Sequence, residues 1–242
     1  MRLVLTRPQD DSKRSAAALR ARGHDVLVAP LMRVETLEPE LRPHWGAIVI
    51  TSANAATSIA SHPVHAQLVK LPVYAVGKRS ADAARQAGFP DVTTAGGDLR
   101  DLLRIVSSHR PDTKAPLLYL AGEDRSGDLI GDLAVRGIAA ELAVVYRAVT
   151  APFPPALIAA LQAGAVDGVL HFSRRSADNY VEGAKKAGIG AQGFLERALA
   201  VRHFCLSAQI AEPLTAAGVA NMIVAKRPDE AALLALVDTA TA

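Results

Sequence analysis

The chain has 242 residues, 50% apolar and 21% charged, enough for a sizeable core in one large domain or two small ones. Its net charge is only +3 and its longest basic run is two residues, which argues against a nucleic-acid binder and suits a small anionic ligand. A single cysteine, Cys205, rules out an intrachain disulfide and points to a reducing, cytoplasmic setting. The opening MRLVLTRPQDD is too short in apolar residues for a secretory leader, and no stretch approaches the roughly 20 apolar residues of a membrane span.

Arg2–Thr6, rich in Leu and Val, predicts a buried strand. Pro8 and Ser12 then open an amphipathic helix, and Gly23 ends it by supplying a left-handed turn. His24–Val28 predicts a second strand. The same phrase of helix, glycine and β-branched run returns at Gly88, Gly137 and Gly218. Strands alternating with helices of this length imply βαβ units and parallel sheets, so the fold class is α/β. Glu35–His44 and Thr150–Pro155, both proline-bearing, are linker candidates.

The phrases also repeat at long range. Leu3–Glu35 resembles Leu117–Val149, and Trp45–Ser58 resembles Asp167–Tyr180 with Thr51 facing Ser173 and Ser52 facing Arg174. Tyr74–Phe89 resembles Phe204–Val219, and Gly97-Asp98 before Leu99–Leu103 is echoed by Pro228-Asp229 before Ala232–Leu236. The order A, B, A′, B′ predicts two copies of one α/β domain, joined by two linkers, with a ligand cleft at the carboxyl ends of the strands.

Familiar catalytic signatures are missing. No Walker loop, no G-x-G-x-x-G after a strand and no G-x-S-x-G elbow occurs. His62 and His65 read as two solvated loop histidines rather than metal ligands, and Cys205 reads as a buried structural thiol. What remains is a set of hydroxyls and amides at strand-to-helix turns: Thr6-Arg7, Thr51-Ser52-Ala53-Asn54, Ser173 with Ser176, and Ser207. There the free N–H groups and the positive end of the helix attract carboxylates, although plain N-capping uses the same residue types.

At these turns the chain resembles the uroporphyrinogen-III synthase family over nearly its whole length. The likeness rests on Thr6-Arg7-Pro8, TSANA at Thr51–Ala55, VYAVGKRSADAARQAGF at Val73–Phe89, Gly122 with Arg125, Val145-Tyr146, and HFSRRSA at His171–Ala177. The turn Leu206-Ser207-Ala208-Gln209 departs from the family pattern, with Ser207 and Gln209 as alternative donors. The resemblance implies two similar flavodoxin-like lobes, residues 1–36 plus 150–242 and residues 40–146, joined by a two-stranded hinge near Glu35–Leu37 and Arg147–Ala151. It implies a cofactor-free lyase, a monomer, acting on the linear tetrapyrrole hydroxymethylbilane with no metal, membrane or nucleic acid. Substrate carboxylates would be held by Thr51, Ser52, Asn54, Ser173, Ser176 and Ser207, with Arg7, Lys78 and Arg125 adding charge. Tyr146 would donate the proton to the departing hydroxyl, since a phenol with a reference pKa near 10 is protonated at neutral pH. A non-catalytic module binding a small polyanion shares all of these features except control over the product isomer.

Overall fold

The computed structural model describes residues 1–109, 115–125 and 127–240; residues 110–114, 126 and 241–242, which fall within the two expected lobes, lie outside the described residues. In chain order the elements are β1 (Arg2–Leu5), α1 (Gln9–Arg20), β2 (Asp25–Val28), β3 (Met32–Thr36), β4 (Ala47–Ile50), α2 (Ala53–Ile59), α3 (His65–Leu68), β5 (Val73–Ala75), α4 (Lys78–Gln86), β6 (Val92–Thr94) and α5 (Leu99–His109). They continue with β7 (Leu117–Gly122), α6 (Leu129–Ala134), β8 (Ala140–Thr150), α7 (Pro155–Gln162), β9 (Gly168–His171), α8 (Arg174–Ala187), α9 (Phe194–Ala200), β10 (Arg202–Cys205), α10 (Ala208–Ala216), β11 (Met222–Val224) and α11 (Glu230–Thr239).

Two compact units result: Met1–Arg33 with Val149–Ala242, and Val34–Ala148. The first holds a five-stranded sheet in the order β11-β10-β9-β1-β2, parallel throughout. The second holds the order β3-β8-β7-β4-β5-β6, parallel from β8 to β6. The chain passes between units twice, within β3 and within β8, which are neighbours in the second sheet. Neither crossing is a loop, because Val34, Thr36, Val144, Val145, Val149 and Thr150 favour extended backbone.

Both faces of each sheet are covered, so the strands are apolar nearly without interruption. Along β1, Val4 packs into one core and Leu3 and Leu5 into another. Along β4, Ile48 and Ile50 face one core and Ala47 and Val49 the other. With few aromatic residues, these cores are built mainly from Ala, Val, Leu and Ile.

The internal repeat is visible in the pairing. Val4 pairs with Val169 as Leu118 pairs with Ile48, and Leu3 pairs with Val26 as Leu117 pairs with Ala140. Gly23 and Gly137, at matching helix ends, both take the left-handed conformation, with φ of +83° and +69°. Asp98 and Asp229 cap α5 and α11 in the same way, each accepting a backbone N–H at 2.8 Å. One detail of the expected repeat is corrected. Ser52, not Thr51, corresponds to Ser173, because both are N-caps of the helix after their strand.

Candidate active site

In a parallel sheet the strands end along one edge, and the turns there open helices whose first N–H groups lack partners within the helix. In the unit Val34–Ala148 these turns border a cavity of about 380 Å³. Thr51 and Ser52 follow β4, Val76 follows β5, Gly97 and Asp98 follow β6, and the stretch from Gly122 to Arg125 ends β7. Tyr119 and Tyr146 complete the polar part of the wall.

Tyr146 arrives by an irregularity. The strand runs on past it to Thr150, so Tyr146 lies inside β8 rather than at its end. Ala121 pairs with Val144, but the next pair is Gly122 with Tyr146, leaving Val145 as an extra residue. The carbonyl of Val145 accepts the Leu37 N–H at 2.8 Å while its side chain stays in the core. A bulge of this kind turns the following side chain away from regular alternation.

The other wall residues are tied to their neighbours. The hydroxyls of Thr51 and Tyr119 are hydrogen-bonded at 3.0 Å. Ser52 Oγ accepts the Asn54 N–H at 3.2 Å and so caps α2. Arg125 Nη1 donates to the carbonyls of Gly122 at 2.9 Å and Glu123 at 3.0 Å, which clamps the end of β7. Asp98 and Asp124 add carboxylates to the same wall.

Of the candidate residues, Thr51, Ser52, Arg125 and Tyr146 share this cavity. Asn54 and Lys78 belong to the same unit without lining it. Lys78 opens α4 and pairs with Asp82 four residues on, its side chain 85% exposed. Arg7, Ser173 and Ser207 belong to the other unit, in the turns after β1, β9 and β10, and Ser176 lies in the first turn of α8. Arg7 is engaged there: Nη1 meets Ser15 at 3.3 Å and Glu230 at 3.5 Å, and its guanidinium lies 4.3 Å from the centre of the Phe172 ring. Ser173 and Ser176 form a reciprocal capping box, and Ser176 is buried. For this pair the capping role is the one seen. Ser207 is also an N-cap but makes no side-chain cap bond.

Three readings outside the cavity are settled by burial. His62 is buried and His65 half-buried: His62 Nε2 donates to the Pro39 carbonyl at 3.0 Å, and His65 Nε2 to the Ala87 carbonyl at 2.8 Å. Burial pushes the Cys205 thiol up to about 12, which leaves it inert. Among the described residues no group of three His, Cys, Asp or Glu side chains is placed to hold a metal ion, and no helix is long and apolar enough to cross a membrane.

A family model for uroporphyrinogen-III synthase HemD matches residues 13–235. The chain belongs to the uroporphyrinogen-III synthase family. A solved uroporphyrinogen-III synthetase from Helicobacter pylori 26695 resembles it with a TM-score of 0.60 and 21% identity, over 99% of this chain and 100% of that one. A mutant uroporphyrinogen III synthase from the extremely thermophilic bacterium Thermus thermophilus is 18% identical with a TM-score of 0.48, over 100% of this chain and 97% of that one. At 21% identity the likeness to the Helicobacter pylori structure speaks for the fold. No curated protein matches the chain significantly. As a member of the uroporphyrinogen-III synthase family the chain is an enzyme of heme biosynthesis, and the family substrate is a tetrapyrrole.

Within this cavity, no pattern in the sequence singles out Tyr119, which reads as one more residue of an apolar strand. Its hydroxyl reaches Thr51 because β4 and β7 are sheet neighbours, with Val49 paired to Tyr119. Gly97 and Asp98 were visible in the sequence only as half of the repeated phrase before a helix, yet they border the cavity as well.

Proposed function

We propose that this chain is a cytoplasmic, monomeric lyase that closes hydroxymethylbilane with inversion of ring D, releasing water. Tyr146 donates a proton to the terminal hydroxyl as its C–O bond breaks, and water departs. The adjacent pyrrole supplies the electron pair and keeps its N–H, so the electrophile is a protonated azafulvene and no metal or nucleotide is required. The substituted carbon of ring D attacks first, giving a spirocyclic intermediate. Fragmentation and recombination then invert the ring, and the carbon that closes the macrocycle loses a proton as aromaticity returns, which restores the donor. Direct closure without inversion is chemically easy, so the enzyme works by holding one geometry and excluding the other.

The observation that carries these roles is the presence of Tyr146 in one cavity with Thr51, Ser52 and Arg125 at the carboxyl ends of parallel strands. Thr51, Ser52 and Arg125 would hold substrate carboxylates, with the remaining N–H groups of the turns. Arg7, Ser173 and Ser207 offer groups of the same kind at the strand ends of the other unit. Asn54 meets the cap Ser52 through its backbone N–H, Ser176 serves chiefly to start α8, and Lys78 is engaged with Asp82. The test is to generate hydroxymethylbilane in situ, add the protein without cofactor, and resolve the uroporphyrinogen isomers by chromatography. Isomer III is expected. Isomer I alone would overturn the proposal in favour of a binding module.

A further inference from the structure

We infer that Gly122 is a positioning residue for Tyr146, and that glycine is required there so that the phenol can lie across the strand and face the cavity. This rests on the reading of Tyr146 as proton donor. Gly122 ends β7, is buried, and is not among the glycines with positive φ, so backbone freedom does not explain the residue type. Close approach does. A Cβ at Gly122 would lie 2.5 Å from Tyr146 Cζ, 2.7 Å from Cε2 and 2.8 Å from the hydroxyl oxygen. All three are closer than carbon atoms come in folded proteins, so a Cβ here would displace the tip of the Tyr146 ring.

Two further features act on the same ring. The extra residue Val145 directly precedes Tyr146 and shifts it into register with Gly122. The backbone on either side is fastened: the Glu123 N–H donates to the Tyr146 carbonyl at 2.9 Å, and Arg125 holds the Gly122 carbonyl at 2.9 Å. A strand glycine beside a bulge marks a place where another group must come close. Here that group is the phenol, and the cavity borders both residues. Gly122 touches no reacting atom in this scheme. It acts through Tyr146.

The test is Gly122→Ala, read two ways. In protein carrying ¹³C-labelled tyrosine, the Tyr146 signal, assigned by its loss in Tyr146→Phe, should move while those of Tyr74 and Tyr180 stay. An unmoved Tyr146 signal would overturn the positioning role whatever the activity. Turnover should fall by a factor like that of Tyr146→Phe, on the order of 10²–10⁴. The double variant Gly122→Ala with Tyr146→Phe should be no slower than Tyr146→Phe alone, because a misplaced hydroxyl costs nothing once it is absent. Multiplying effects would overturn the proposal. A moved signal with unchanged turnover would instead sink Tyr146 as proton donor and separate that failure from this one. Should Gly122→Ala fold poorly, the melting temperature of Gly122→Ala with Tyr146→Ala decides. It should match that of Tyr146→Ala, since removing the ring removes the clash; an undiminished loss would mean that another contact demands glycine.

Discussion

At the point where the unit Val34–Ala148 carries Ile50 and Val73 in an apolar core, the other unit carries His171 and His203. The positions are equivalent by register: Ile50 pairs with Ala75 as His171 pairs with Cys205, and Val73 pairs with Ile48 as His203 pairs with Val169. At the sheet edge the contrast runs the other way. Tyr119 and Thr51 correspond to Leu5 and Phe172, and β2 ends at Val28, well short of the point where β8 bulges to present Tyr146. One sheet plan thus serves two ends. The unit Val34–Ala148 sets the Thr51–Tyr119 hydroxyl pair and Tyr146 where the other unit has Leu5, Phe172 and the end of β2, and that other unit buries a pair of imidazoles within its sheet.

The largest test of this contrast is Tyr146→Phe, which keeps the ring and removes only the transferable proton. Turnover should fall by on the order of 10²–10⁴, the usual share of a positioned general acid, with more isomer I and little change in melting temperature. Near-native turnover would make Tyr146 a packing residue and remove the functional side of the comparison.

The buried imidazoles give the next effect. His171 Nε2 and His203 Nδ1 are 3.0 Å apart, and their outer nitrogens make no hydrogen bond among the described residues. Burial pushes His203 down to about 4, against a smaller upward pull from the Ala198 and Leu199 carbonyls. Burial, and secondarily the neighbouring His203, holds His171 well below the usual histidine range. In the unfolded chain both titrate near 6.5. Below that pH the unfolded state binds protons that the folded state refuses, so stability is lost as pH falls, by about 3 kcal/mol for His203 alone at pH 4. Urea titrations at pH 7 and pH 4 should show this acid loss. His171→Ile with His203→Val, which copies the other unit, should flatten it; an equally steep acid limb would assign the sensitivity to other groups.

The two arginines sharpen the comparison at smaller scale. Arg125 clamps carbonyls beside the cavity, whereas Arg7 is held by Glu230, Ser15 and the Phe172 ring within its own unit. Arg125→Ala should raise KM by roughly 10- to 150-fold, the 1.5–3 kcal/mol of a charge-assisted hydrogen bond. Arg7→Ala should act first on stability, read as a lower melting temperature, with a smaller change in KM. Equal KM effects would show that the internal partners of Arg7 do not withhold it.

Much of this architecture was legible in the chain because it is local. The glycines after helices, the aspartates before α5 and α11, and the alternation of apolar runs with helices each leave a contiguous pattern. The duplication was legible for the same reason. Alignment by similarity still placed Thr51 opposite Ser173, because apolar strands match almost as well one residue out of step, and only capping fixes the register. The bulge left no trace, since Val144 and Val145 are alike and an extra apolar residue disturbs no hydrophobic pattern. The His171–His203 contact and the Tyr119–Thr51 bond join neighbouring strands that lie far apart in sequence. They follow from strand order, which no local pattern encodes.

That last bond supports the finest test. Tyr119 is buried, yet its hydroxyl meets Thr51 at the cavity wall. Leu5 and Phe172 fill the equivalent positions in the other unit, so this sheet plan folds there without a hydroxyl pair. The pair is therefore expected to orient Thr51 rather than to stabilise the strands. If Tyr119 donates to Thr51 Oγ1, the threonine proton is left to point at a substrate carboxylate. Tyr119→Phe removes one oxygen and should raise KM about five-fold, the ~1 kcal/mol of a neutral hydrogen bond, with turnover and melting temperature nearly unchanged. Thr51→Val should raise KM at least as much, and the double variant should add little to it, because the tyrosine acts only through the threonine. A drop in melting temperature with KM unchanged would show the pair to be structural, and the hydroxyls at this edge would then mark no difference of function between the two units.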